Sequence, residues 1–300
     1  MKRKSEIAAM ILMAILFPIT YFTAIFISQP IENAGIKAFE NPNEPTNILL
    51  LILILLVVTL VILLIAKYWK KQFIKFFILG AVVLTSLYVF YPLFFALFNA
   101  DLSFILALIT SFTLLIFLIK HPEWYIIDLC GFIIAAGATA IFGISLSIPL
   151  VIALLVILAI YDAISVYKTK HMIDLADSVM DLRLPVLLVI PKRKGYSFIK
   201  NKERLKTKLG KKKERDAFFM GLGDIVMPGI LVISTYHFIP NGLSIAIGVT
   251  LGILLGFTML MIFVIKGKPQ AGLPFLNSGA ILGYIISSLL LFGKLAGFSF

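Results

Sequence analysis

Residues Ile148 to Lys168 read IPLVIALLVILAIYDAISVYK, an apolar stretch interrupted near its end by one acid, Asp162. A transmembrane helix needs about 20 largely apolar residues, which this stretch supplies. An aspartate deep in such a helix costs roughly 2.5–3.5 kcal/mol on insertion scales, so it signals function by default. The same pattern returns at residues 216–238, DAFFMGLGDIVMPGILVISTYHF, where the acid is Asp224. Two acids in two consecutive apolar segments decide how the rest is read.

Working outward, the chain of 300 residues is 61% hydrophobic and only 14% charged, with a mean hydropathy of +1.06. Soluble domains lie nearer half apolar and a quarter charged. A chain this apolar cannot hide its surface in one water-soluble core, so the bilayer is its main solvent. Apolar length predicts nine spans, at about 6–27, 48–66, 73–91, 102–119, 124–143, 148–168, 216–238, 243–265 and 274–292. The expected fold is all-α: a polytopic membrane protein of nine transmembrane helices. The first span follows Lys2, Arg3 and Lys4. It is too long for a signal-peptide core and has no Ala-x-Ala site before Gln29-Pro30, so it reads as a helix. One membrane-embedded domain is expected, in three parts: residues 1–168 with six spans, a basic loop at 169–215, and residues 216–300 with three spans.

Charge gives the orientation. With the N-terminus in the cytoplasm, all of the 27 Lys and Arg residues except Lys37 and Lys294 fall on the inside. Short loops carry most weight in this rule, and they point the same way. The expected topology is N-terminus in, C-terminus out. The net charge of +12 is therefore a mark of orientation, not of nucleic-acid binding. Cys130 is the single cysteine, which excludes an intrachain disulfide and a cysteine metal cluster. His121, His171 and His237 form no HExxH pattern, so a zinc protease lacks its ligands. No metal or organic cofactor is expected.

Asp162 precedes Lys168 by six residues and Asp224 follows Asp216 by eight. At helical rise these separations are roughly 9 and 12 Å of depth, both from the cytoplasmic side. Two carboxylates that face each other share one proton and titrate in separate steps. That arrangement lets one take a proton from water while the other hydrogen-bonds a scissile carbonyl. Gly221 and Gly223 remove side chains beside Asp224, which permits close approach by a substrate strand or another helix. Gly272-Leu273-Pro274-Phe275-Leu276 opens the ninth span. Proline there is normal helix-start chemistry, and a non-helical apolar segment at that depth would also line a cleft. The apolar run Leu184–Ile190 is too short to span. It reads as a strand or interfacial segment, or as an edge that pairs with an extended peptide. Asp128 reads as an interfacial acid or one with a structural partner, and His237 as structural. Asp101 and the loop acids Asp174, Asp177 and Asp181 need no function. Tyr161 and Tyr284 pack, or donate hydrogen bonds near the acids.

Tyr161-Asp162, then Gly221-Leu222-Gly223-Asp224, then Pro274-Phe275-Leu276 together resemble the presenilin and signal-peptide-peptidase superfamily of intramembrane aspartyl proteases. That family carries Tyr-Asp in helix six, Gly-x-Gly-Asp in helix seven and Pro-Ala-Leu at helix nine. Phe275 stands where the family has alanine. The resemblance covers essentially the whole chain and looks like that of a compact prokaryotic or archaeal relative. It implies catalysis by Asp162 and Asp224, with Tyr161, Gly221, Leu222, Gly223, Leu273, Pro274, Phe275 and Leu276 lining the site. It also implies partners: transmembrane helices of membrane-protein substrates, within the lipid bilayer and with N-termini outside. A homo-oligomer is compatible with the reading. The rival reading is a proton- or cation-conducting channel or transporter built on the same acids. It lacks a second Gly-x-Gly-Asp-like segment in the first five spans, where a repeat would be expected.

Overall fold

A computed structural model describes residues 2–68, 71–169, 185–193, 195–197, 217–265 and 270–298. Asp174, Asp177, Asp181, Asp216 and most of the basic loop lie outside the described residues. The described residues form nine α-helices: α1 (Lys2–Asn33), α2 (Thr46–Tyr68), α3 (Lys71–Phe95), α4 (Ala100–Lys120), α5 (Trp124–Ser145), α6 (Ile148–Ile164), α7 (Leu222–Phe238), α8 (Leu243–Ile265) and α9 (Leu273–Phe292). Seven are long and apolar enough to cross a membrane, and the apolar stretches Thr46–Ile62 and Leu222–Phe238 are shorter. The fold is an all-α polytopic membrane fold, as the apolar periodicity predicts.

Local chemistry sets the helix ends. Pro149 and Pro274 sit in the first turns of α6 and α9, where a missing N–H costs nothing. Gly293, at φ 66°, closes α9, and its N–H donates to the Leu289 carbonyl. α1 runs on through Pro18 and Pro30 to Asn33, past the end of the 6–27 span that apolar length predicts.

The arrangement centres on α7. It packs against α1, α5, α6, α8 and α9, and Ile225, Val226 and the run Ile230 to Thr235 are buried. A helix that is apolar all round belongs in the middle of a bundle. α8 and α9 approach through glycine. A Cβ on Gly252 would strike the Gly279 carbonyl and lie 2.9 Å from the Gly283 Cα. This is the small-residue contact by which membrane helices replace a hydrophobic driving force with close packing. Gly252→Val is therefore expected to destabilise the fold by about 1–3 kcal/mol. A lowered Tm in detergent, against an unchanged Tm for Gly80→Ala in open space, checks it.

One part of the fold is not helical. β1 (Leu187–Pro191) pairs antiparallel with β2 (Ala217–Gly221), Leu187 opposite Gly221 and Pro191 opposite Ala217. The seventh predicted span therefore begins as a strand, and α7 starts only at Leu222. The apolar segment Ala217 to Met220 is compatible with either helix or strand, and pairing with the apolar β1 segment decides the matter. The strand advances about 3.3 Å per residue, so helical depth counting fails between Asp216 and Asp224.

Candidate active site

Asp162 lies in the last turn of α6, with 4% of its surface exposed. Its Oδ2 accepts the Leu273 N–H at 3.1 Å. Two turns earlier, the Asn277 side chain donates to the Leu155 carbonyl at 2.9 Å. A short π-helical turn, Ser165–Thr169, continues α6. From it the Tyr167 hydroxyl donates to Gln270 Oε1 at 2.7 Å. Three hydrogen-bonded levels thus fix α6 against α9 and the residues before it.

Asp224 is the third residue of α7. A Cβ on Gly221, the residue that caps the helix, would lie 3.6 Å from its Oδ2, so the carboxylate sits back over the helix start. An acid in a first helical turn complements the helix dipole. The backbone change from strand to helix therefore occurs within the Gly-x-Gly-Asp motif, beside the acid itself.

The two carboxylates meet at one peptide unit. Asp162 takes the Leu273 N–H, while a Cβ on Gly272 would lie 2.9 Å from Asp224 Oδ1 and 3.1 Å from both its Cγ and its Oδ2. Asp224 also lies within electrostatic range of Asp162. Gly272 is thus the glycine whose missing side chain the pair requires. A Cβ on Gly221 would meet Asp224 Oδ2 only at an ordinary 3.6 Å, and one on Gly223 would meet nothing within 4 Å. Gly223 borders open space and does not pack against a helix.

The other predicted residues are distributed more widely. Tyr161 is 53% exposed and presents to the helix exterior. Leu222, at the start of α7, packs towards Gly131 of α5. Pro274, Phe275 and Leu276 are helical, so the non-helical cleft segment expected there shrinks to Gln270–Gly272. Phe275 rests on Phe263 of α8 with ring centroids 5.5 Å apart, which gives its bulk a place. Leu276 is buried in the main core. Tyr284 is remote from the acids and donates to the Ala296 carbonyl. His237 faces Glu32 at 3.6 Å. Tyr21, from α1, was not singled out by the sequence. Its hydroxyl donates to the Ile225 carbonyl at 3.0 Å, one residue past Asp224. One tyrosine among ten, some 200 residues away in sequence, gives no local signal.

The ribbon has one sealed edge. The Val189 N–H donates to Asp128 Oδ1 at 2.7 Å, away from β2, and the Leu222 N–H donates to the Val186 carbonyl. By the alternation of an antiparallel ladder, Leu188–Met220 and Ile190–Phe218 are then the hydrogen-bonded pairs. The run Leu184–Ile190 does contain a strand, but β1 lies between Asp128 and β2 and offers no edge. Among the described residues the outward edge belongs to β2, at Phe219 and Gly221, since Ala217 is only 1% exposed.

A helical membrane bundle that gathers two acids of adjacent helices onto one peptide unit defines a polytopic protein with a membrane-embedded carboxylate pair. Residues 13–293 match the signal-peptide peptidase, presenilin aspartyl protease family. The fold is similar to that of a presenilin family intramembrane aspartate protease in the C222 space group, with TM-score 0.67 and 34% identity over 93% of this chain and 96% of that one. It is also similar to such a protease in the P2 space group, with TM-score 0.69 and 36% identity over the same shares. No curated protein sequence gave a match. The chain belongs to the signal-peptide peptidase and presenilin family of aspartyl proteases.

Proposed function

We propose that this protein hydrolyses peptide bonds of transmembrane substrates, with Asp162 and Asp224 as its catalytic pair. The convergence of both carboxylates on Gly272–Leu273 is the observation that carries the reading. One carboxylate removes a proton from water, whose oxygen attacks the scissile carbonyl carbon. The other, protonated, donates its hydrogen to the carbonyl oxygen. A proton then passes to the amide nitrogen, the C–N bond breaks, and the pair returns to its starting protonation. Apart from the attacking water and the substrate, the two carboxyl groups suffice to balance these steps.

A helical substrate bond is shielded and its carbonyl already occupied, so the segment must unwind first. An unwound strand needs backbone partners. The outer edge of β2, ending three residues before Asp224, supports pairing with such a strand. The distribution of basic residues supports N-terminus in and C-terminus out, and with it substrates whose N-termini lie outside.

Purified protein in detergent is expected to cut a synthetic single-span peptide. An aspartic protease inhibitor that mimics the tetrahedral intermediate is expected to block that cut. Absence of cleavage, together with Asp162-dependent proton or cation flux in liposomes, would establish the transporter reading instead. The comparisons lend that rival no support.

A further inference from the structure

Asp128 has no part in the proposed chemistry, yet it is bound to β1, the partner of the strand that leads to Asp224. It lies in α5, one turn before Gly131. Its Oδ1 accepts the Val189 N–H at 2.7 Å. Val189 is 2% exposed, so few other acceptors are within reach of that N–H. A Cβ on Gly131 would lie 3.0 Å from Leu188 Cδ2 and 3.1 Å from Leu222 Cδ2. One face of α5 thus holds the backbone of β1 by an acid and seats side chains of β1 and of the first α7 residue in a glycine gap. The residues after β1 are held through side chains. Ser197 donates to Glu123 Oε1 at 2.6 Å, and Lys192 lies 3.4 Å from Glu6 Oε1 and over the Phe218 ring at 4.2 Å.

We propose that Asp128 is a positioning residue for cleavage: it fixes β1 on α5, and through the ladder it fixes the register of β2 and of Asp224. This inference rests on the reading that substrate pairs with the outer edge of β2. A strand slips in steps of two residues if its side chains are to keep their faces. Holding the Val189 N–H prevents such a slip of β1 against α5. It also leaves β2 as the ribbon's edge for a newcomer. A short side chain with an acceptor oxygen suits the task because it takes the strand N–H directly.

Asp128→Ala and Asp128→Asn separate this role from simple support of the fold. Asparagine keeps Oδ1 as an acceptor; alanine does not. Without substrate, amide exchange over residues 187–191 is expected to accelerate at least about tenfold in Asp128→Ala and to stay near wild type in Asp128→Asn. With a single-span peptide, mass spectrometry of Asp128→Ala products is expected to reveal new cuts two residues from the wild-type cut. kcat is expected to fall about tenfold with KM little changed, since a misplaced reacting bond costs rate more than binding. Asp128→Asn is expected to restore both. Asp128→Ala with unchanged exchange and a single unshifted cut overturns the proposal, and so does Asp128→Asn as defective as alanine. If the wild-type protein cuts nothing, the protease reading fails, while the exchange comparison still decides whether Asp128 holds the strand.

Discussion

Asp162→Asn is expected to lower cleavage of a single-span substrate by at least about 10³-fold, and Asp224→Asn by a similar factor. Asparagine has the shape of aspartate and keeps an oxygen, which at Asp162 still accepts the Leu273 N–H, so each side chain keeps its place. What disappears is the ability to exchange a proton. Because the two acids work as one unit, the double variant is expected to be no slower than either single one. Initial rates with purified proteins of matched Tm check this. A single variant that cuts at the wild-type rate removes the catalytic assignment.

Gly272→Ala carries the second large effect. The added methyl would lie about 3 Å from three atoms of the Asp224 carboxylate, closer than ordinary van der Waals contact allows. The carboxylate can swing aside, but only by leaving its place at the helix start beside Asp162. A displacement near 1 Å at a reacting group costs on the order of 10²-fold in rate. Cleavage is expected to fall by that factor while Tm changes little. Gly223→Ala is the companion measurement: its Cβ meets nothing in the resting fold, so its Tm is expected to hold. A Gly272→Ala enzyme of undiminished rate would falsify the packing argument.

Much of this molecule was legible in its sequence because a bilayer imposes length and apolarity directly. Helix α8 starts and ends where the apolar run does, at Leu243 and Ile265. The acids stood out for the same reason, as the costliest residues in their helices. The strand β2 was not legible. Phe218-Phe219-Met220 is as apolar as a helix start, and only its partner β1, some thirty residues earlier, makes it extended. That misreading also hid the local geometry of Asp224, which follows a strand and opens a helix. Gly272 was seen as part of a helix-start motif, but its role depends on a carboxylate 48 residues away in sequence. For Asp128 the sequence leaves open an interfacial acid or one with a structural partner; the partner, a backbone N–H of β1, is a product of folding.

The β2 rim has a bearing on how a hydrolase obtains its co-substrate inside a fatty environment. Amides and carbonyls on an open strand cannot face acyl chains, where nothing would solvate them. The rim must therefore stay wet whenever no peptide occupies it. On the proposed reading, moisture held along that rim would lie beside the acids before any helix arrives, and an incoming chain that took over the rim would displace it within reach of the bond to be split.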